Sequence, residues 1–415
     1  MDKQIPASTP AESFKHSDPE NSNPAEGHPL MEKGDKQGLS FALTSKVALE
    51  GRYSYFGRTQ STWTPNNSTP QTINNYSVIE LNRAFLTFSG HVGKEQLKYN
   101  LSIFGSTSVA TVVPLGFMGY DFDEAFNARV GVWKSPGTRE WSTSWAKSLG
   151  ADRTMATTYF RPNWTPGVWA QGKYDSFDYT VFIGNSYGGS SANYVANRQG
   201  TGMLYAFSGT WEPLGVMGDG VSDLEGHDAP AIRIGATGVY QNAQDPHTTE
   251  SNSNPDTTIF RLSNGTPLHQ TGALGVGTTL YSGDVTLGTI DTAVKYQGLG
   301  LYAEFMFRNI SNFGYTGPAP TVASLNDYGG IFQGSYFLIP GTLELFGRSS
   351  MVSGHYGSPW EAGGGLNWYP VPQLPTWNIT AEGIFINHSP AQNLLTPYRA
   401  GESGAVGQMQ MRVLY

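Results

Sequence analysis

Apolar and polar residues alternate along most of this chain. From Phe41 onward the odd positions are mainly apolar and end in tyrosines, whereas the even positions include Lys46, Glu50 and Arg52. Successive side chains of a β-strand point to opposite faces, so this segment is predicted to be a strand with one apolar and one charged face. The same alternation recurs at 97–103, 177–183, 299–308 and 408–415.

Short and long links alternate between these segments, with turns at 91–93, 175–176, 297–298 and 340–341 and long polar loops between them. This alternation is typical of outer-membrane barrels, where periplasmic turns are short and extracellular loops are long. The link 213–228 departs from it, because it is long where a short turn is expected. An even set of strands, with both chain ends on the periplasmic side, is predicted at 39–56, 75–90, 95–107, 113–121, 126–134, 166–174, 177–187, 201–212, 229–241, 285–297, 299–310, 327–339, 342–353, 360–370, 376–388 and 405–415.

The predicted fold class is all-β, a closed antiparallel transmembrane β-barrel of about 16 strands in residues 39–415. Hydrocarbon offers no hydrogen-bond partners, so a sheet that crosses it must close. A barrel of this size is wide enough for an aqueous channel. Residues 1–38 are polar and lack an apolar period, which predicts a disordered N-terminal arm; a plug inside the lumen is the alternative.

Composition agrees with a barrel. Charged residues make up only 14% of the 415 residues, below the roughly 25% of soluble domains, yet no apolar run reaches the ~18 residues of a membrane helix. The absence of cysteine excludes disulfides and thiol catalysis, and the net charge of -8 argues against a nucleic-acid partner. The first residues, MDKQIPASTP, lack the order of a secretory leader, so we expect a mature chain in the bacterial outer membrane.

The segment 134–166 is too long for a turn and contains three tryptophans and several basic residues. We expect this third extracellular loop to fold inward and present a basic ring, because Arg and Lys rings favour anions and phosphate. An exposed surface loop is the alternative. By parity, charged residues of both signs face the lumen; the candidates for lining it are Lys46, Arg52, Lys98, Lys295, Glu304, Arg308, Arg348 and Arg412.

Several short motifs resemble the phosphate-selective porin O and P family. They are Ala128–Gly137, with a strand leading to Lys134 and Pro136, the turn at 296–299 with Glu304 beyond it, the hairpin 330–348, and 365–369. The resemblance implies a trimeric sixteen-stranded Gram-negative porin with an inward third loop and cationic lumen residues. It favours six constriction residues: Arg129, Lys134, Arg139, Lys147, Arg153 and Arg161.

The predicted function is passive diffusion of small hydrophilic solutes or ions, with a preference for anions or phosphate, through a homotrimer surrounded by outer-membrane lipid. One alternative is a barrel that sheathes a periplasmic or lumenal partner such as an electron-transfer cytochrome. The other, ranked last, is an outer-membrane hydrolase. No enzyme activity, catalytic residue, cofactor or metal site is expected, because the eight histidines are scattered singly along the sequence.

Overall fold

The structure is a computed structural model and describes residues 28–34, 40–108, 111–188, 202–244, 260–371 and 377–415. One large antiparallel sheet contains nearly all of the strands, and a separate pair of two-residue strands lies in the loop after β2. The strands are β1 His28–Gly34, β2 Ser40–Arg58, β3 Thr62–Trp63, β4 Gln71–Thr72, β5 Tyr76–Ser106, β6 Thr111–Asp121, β7 Asn127–Lys134, β8 Trp164–Tyr174, β9 Phe177–Gly184, β10 Leu204–Trp211, β11 Ala231–Gln244, β12 Thr279–Tyr296, β13 Leu299–Thr316, β14 Leu325–Ile339, β15 Leu343–Ser353, β16 Trp360–Trp368, β17 Trp377–Asn387 and β18 Gly404–Leu414.

Neighbouring strands pair in sequence order, and β2 pairs with both β18 and β5, so the sheet closes on itself. The long strand β5 doubles back near Gly93, whose φ is +78°. Its first half pairs with β2 and its second half with β6, and the hydroxyls of Thr87 and Ser102 join the two halves at 2.9 Å. The barrel wall therefore consists of β2, the two halves of β5, and β6 to β18, which confirms the predicted closed barrel of sixteen strands.

Side chains on the outer face of this wall are apolar. Exposed positions alternate with buried ones along the strands, as in the run from β14 through β15. Large aromatic side chains lie on the outer face near both ends of the strands, such as Tyr55 and Tyr328 at one end and Trp211 and Trp368 at the other. An apolar outer band with aromatic girdles is the surface that a bilayer requires.

The links differ in length at the two ends of the barrel. We call the end with the tight turns at Asp175 and Gln297, both with positive φ, the short-turn end, and the other the long-loop end. β6 pairs with both of its neighbours, β5 and β7. The link 212–230 is long although it lies at the short-turn end.

Two departures concern the predicted boundaries. Residues 28–34, assigned from the sequence to the disordered arm, form β1, which pairs antiparallel with the start of β2. The rest of the arm lies outside the described residues. Long-loop segment 135–163 also contains helical turns, namely α1 (Arg139–Ser142), a 3-10 turn (Trp145–Lys147) and α2 (Met155–Phe160). Within the described ranges, no helix has the length and apolar character needed to cross a membrane.

A threonine is the N-cap residue of each of the two α-helices in this segment. The hydroxyl of Thr138 accepts a hydrogen bond from the backbone N–H of Trp141 at 3.3 Å, and that of Thr154 accepts from Thr157 at 3.4 Å. Such N-caps satisfy backbone donors that have no partner inside the helix. The two helices can therefore form without a long apolar face of their own.

Candidate functional site

The charged residues predicted to line the lumen are mostly buried. Arg308 and Lys295 have no exposed surface, and Arg52, Arg348, Arg412 and Glu304 are at most 4% exposed. A buried charge needs ionic or hydrogen-bond partners, so their partners show what covers this face of the wall. Many of those partners belong to segment 135–163.

The first contact group, the arginine cluster, consists of Arg52, Arg83 and Arg412 with the carboxylates of Glu50 and Asp152. Asp152, from segment 135–163, accepts from Arg52 and from Arg83, each at 2.9 Å. Glu50 lies 3.0 Å from Arg52, 2.7 Å from Arg83 and 3.4 Å from Arg412. Burial alone would raise the pKa of Asp152, but the guanidinium groups of Arg83 and Arg52 outweigh it and lower this pKa. Asp152 is therefore held as an anion that ties the segment to β2 and β5.

A β-bulge explains why Arg83 belongs to this cluster although parity did not predict it. Glu50 pairs with Arg83 but the next residue, Gly51, pairs with Leu81, so Asn82 is the extra residue. A bulge shifts the strand by one residue and so inverts the faces beyond it. Asn82 and Arg83 are consequently both buried, and the Asn82 amide donates to Glu50 at 2.8 Å.

Further contacts join the same segment to β13, β15, β16 and β17. Glu382 accepts from the backbone N–H of Ala151 at 2.9 Å and pairs with Arg348 at 2.6 Å. Glu361 accepts from the backbone N–H of Met155 at 2.7 Å. Arg308 donates to the carbonyl of Tyr159 at 3.0 Å and pairs with Asp327 at 2.9 Å. Segment 135–163 thus bonds to strands on widely separated parts of the wall.

The α1 group lies on β10 to β13 and contains Arg139. Its backbone N–H donates to Glu304 at 2.8 Å, and its guanidinium lies 2.5 Å from the Thr210 hydroxyl and 3.4 Å from the Asp291 carboxylate. Asp291 also lies 3.9 Å from Arg233. Gly235, the register partner of Asp291, makes room for this arrangement, because a Cβ there would overlap the Asp291 carboxylate.

Three of the predicted constriction residues surround the side chain of Trp141. Arg161, Arg153 and Lys134 lie 4.4, 4.8 and 5.2 Å from its ring, and the indole is 1% exposed. Cations over an indole face are attracted by its quadrupole, and more strongly where water is excluded. The structure places these three residues around the buried indole of segment 135–163.

The other predicted residues occupy separate places. Arg129 pairs with Asp121 at 2.5 Å, and Lys295 lies 3.6 Å from Glu225 of the link 212–230. Lys147 is half-buried in the 3-10 turn. The half-buried side chains of Lys46 and Lys98 lie on β2 and β5; Lys46 lines a small cavity of about 60 Å³ beside Trp145. The structure therefore brings Arg139 close to Arg233, which the sequence did not single out, and distributes the remaining candidates.

A larger cavity of about 270 Å³ lies between α1 and the wall formed by β8 to β11. Arg139, Ser142 and Thr143 line it from α1 and the residue after it, and Arg233 and Thr210 line it from the wall. It reaches the short-turn end, where its lining includes Lys173 and four carboxylates: Glu124, Asp178, Glu212 and Asp219. Burial raises the pKa of Asp219, although nearby cations oppose this. The lining of this cavity is thus of mixed charge.

The link 212–230 closes part of the short-turn end. Asp223 pairs with the imidazole Nδ1 of His227 and accepts from the backbone N–H of Gly298 at 2.7 Å. Burial would lower the pKa of His227, but the Asp223 hydrogen bond prevails and raises it. The carboxylate of Glu225 lies within 4.8 Å of both groups, but it faces Lys295. These contacts dock the link on the turn between β12 and β13.

No protein-family model and no curated protein matches the chain. Solved structures do match. An anion-selective porin from Comamonas acidovorans has a TM-score of 0.51 at 10% identity, covering 90% of this chain and 100% of that one. The fold is that of a porin barrel. OmpF of Salmonella typhi, in complex with daunomycin, gives 0.51 at 11% identity over 93% and 100% of the chains, and outer-membrane expressed OmpT of Vibrio cholerae gives 0.50 at 12% over 92% and 99%.

Proposed function

We propose that this protein is an outer-membrane porin through which small hydrophilic solutes diffuse passively. The observation that carries the proposal is a closed sheet of sixteen strands with an apolar outer face and a charged inner face. In a bilayer such a sheet leaves no unpaired edge, and a barrel of this size is wider than its own wall side chains can fill. The sequence resemblance adds a homotrimer, which native mass spectrometry of the detergent-solubilised protein tests.

The constriction in this proposal is segment 135–163, folded into the lumen. Its bonds to Arg52 and Arg83 on one part of the wall, and to Glu304 and Glu361 on others, support this placement. The segment bonds to residues of β12 to β18 and of β2. The path left for solutes runs along β8 to β11, between α1 and the wall.

We further propose that any anion preference comes from Arg139 and Arg233, and not from a ring of six basic residues. Three of the six surround Trp141, and Arg129 pairs with Asp121. The cavity lining also includes four carboxylates, so the expected selectivity is weak. Strong phosphate specificity would need several unpaired guanidinium groups around one site.

Planar-bilayer recording of the purified protein tests the function. Stepwise conductance is expected, with a reversal potential in a salt gradient that indicates weak anion preference. Arg139→Gln together with Arg233→Gln should shift the reversal potential toward cation preference, whereas Lys94→Gln at the exposed turn of β5 should not. Absence of conductance from correctly folded protein would contradict the porin function, and an unchanged reversal potential would contradict the role of the two arginines.

The two alternative functions receive less support. A sheath needs room for a partner, but loops of the same chain bond to much of the described inner wall, including Leu395, whose carbonyl accepts from Arg52 at 3.0 Å. A hydrolase needs a base beside a nucleophile. In the His227–Asp223 pair, Nε2 of the imidazole faces the carbonyl of Val216 at 3.1 Å. This ring therefore positions the link 212–230.

A further inference from the structure

The cavity beside α1 carries opposite charges on its different sides. Arg139 and Arg233 lie toward β11 and β12, where both approach Asp291. Asp178 lies on β9, directly across from Thr210 of β10, and Thr210 is in turn across from Gly235 of β11. Asp178 is thus two strands away from β11, roughly 10 Å between backbones. Inward-pointing side chains shorten this gap to a distance that one small molecule can span.

Two charged groups at the cavity have unused hydrogen-bonding capacity. Arg233 is only 6% exposed, and within the described ranges its Nε donates no hydrogen bond; its one bond, to the Gly218 carbonyl, is long at 3.4 Å. The buried Oδ2 of Asp219 likewise accepts none from the described residues. Arg233 lies 3.9 Å from Asp291, beyond hydrogen-bond distance, and a buried polar atom without a hydrogen bond is costly, so the Arg233 Nε and the Asp219 Oδ2 are both available here to a ligand.

We propose that this cavity is a binding site for small zwitterionic solutes, molecules that carry one carboxylate and one ammonium group, on their way through the barrel. The solute carboxylate binds Arg139 and Arg233, and its ammonium group binds Asp178 and Asp219. This inference rests on the proposed porin function and deepens it, because it names a solute class.

The charge arrangement favours a zwitterion over a simple ion. An inorganic anion at the two arginines would also face the carboxylates of Glu212 and Asp219, which line the same cavity. A simple cation would face the arginines. A zwitterion satisfies both sets, and hydroxyl groups of Ser142, Thr143 and Thr210 in the lining can hydrogen-bond to either end of it.

Proteoliposome swelling with two isomers tests this site. L-alanine is a zwitterion and lactamide is its uncharged isomer, so size and composition are matched. The wild-type protein should admit L-alanine about threefold faster than lactamide, the scale of a partly screened ion pair. Arg233→Gln and Asp178→Asn should each bring the ratio close to one while lactamide still enters, which shows that the variant barrel is folded and open. Lys94→Gln removes one positive charge outside the cavity and should keep the wild-type ratio.

The outcomes separate the two proposals. Equal rates for both isomers in the wild-type protein, or a ratio that survives Arg233→Gln and Asp178→Asn, would overturn the zwitterion site and leave the porin function standing. If neither isomer enters liposomes that contain folded protein, the porin function itself is overturned, and the site with it.

Discussion

Replacement of Asp152 by asparagine is expected to loosen segment 135–163 without unfolding the barrel. The Asp152 carboxylate makes two hydrogen-bonded ion pairs of 2.9 Å, with Arg52 and Arg83, and all three side chains are at most 3% exposed. Loss of one partner from a buried ion pair costs about 3–5 kcal/mol. Glu50 still pairs with both arginines at 3.0 and 2.7 Å in the variant, so the lower end of that range, about 3 kcal/mol, applies.

Hydrogen exchange measured by mass spectrometry gives the assay. A loss of about 3 kcal/mol raises the local opening equilibrium roughly 100-fold, since 1.4 kcal/mol is a factor of ten. Peptides that contain the amides of Ala151 and Met155, which donate to Glu382 and Glu361, should therefore exchange about 100-fold faster. Single-channel conductance should rise and fluctuate more, because the constriction moves.

The matched control is Asp284→Asn, which changes a β12 carboxylate that accepts from Asn312 at 2.7 Å in an exposed position. It should alter neither exchange in 135–163 nor conductance. Acid should reproduce the effect of Asp152→Asn: because the folded pKa of Asp152 is lowered, its stabilisation is present above the ordinary value of about 3.9 and is lost as pH falls through the lower folded value. If the Asp152→Asn variant showed wild-type exchange rates and wild-type conductance, the role of Asp152 in holding segment 135–163 would be refuted.

Three further predictions concern other contacts. Gly235→Ala places a Cβ against the Asp291 carboxylate, so conductance should fall and anion preference should change, as reversal potentials will show; an unaltered channel would contradict the crowding described at α1. Trp141→Ala removes a buried ring that three cations contact, at a cost of about 3–5 kcal/mol, and should make 135–163 sensitive to limited proteolysis while the barrel resists. The pKa of His227 is raised and that of Asp223 is lowered, so their pairing stabilises the docking of link 212–230 below the ordinary histidine pKa of about 6.5, and this stabilisation is lost as pH rises through the higher folded value. Hydrogen exchange of the link, corrected for intrinsic rates, should therefore accelerate as His227 loses its proton, and exchange that does not accelerate would contradict this.

The barrel could be predicted from the sequence because its two solvents, lipid and water, impose alternation on every strand. That alternation located all sixteen strands, and the alternating link lengths supported their even number. β1 was missed because residues 28–34 show no apolar period. Its pairing with the start of β2 depends on backbone hydrogen bonds, which the pattern of side chains does not predict.

The candidate site was harder to predict, since parity counts residues and a bulge changes the count. Arg83 was overlooked for this reason, as its neighbour Asn82 is the extra residue in β5. Arg233 lies in a predicted strand, but its importance comes from Asp291 and from Arg139 of α1, which approach it only in the folded chain. The predicted constriction by the six basic residues stays a prediction; they are Arg129, Lys134, Arg139, Lys147, Arg153 and Arg161.

Tryptophans in segment 134–166 indicated that the segment packs against something, but not which basic residues take part in that packing. Arg153 and Arg161 follow the same Trp141 in sequence and could equally have pointed into water. Whether these arginines contact the indole depends on the burial of the indole, because cation–π attraction grows where water is absent. Sequence spacing does not reveal this burial.

A single introduced cysteine tests the position of the solute path most directly, because the chain contains no other thiol. Ser142 lines the cavity at the end of α1, whereas Ser68 is exposed in the loop after β2. Addition of methanethiosulfonate ethylsulfonate during bilayer recording should reduce the current of Ser142→Cys channels and leave that of Ser68→Cys channels unchanged. A Ser142→Cys channel that conducts normally, is shown by mass spectrometry to be modified, and keeps its full current would contradict a path between α1 and the β8–β11 wall.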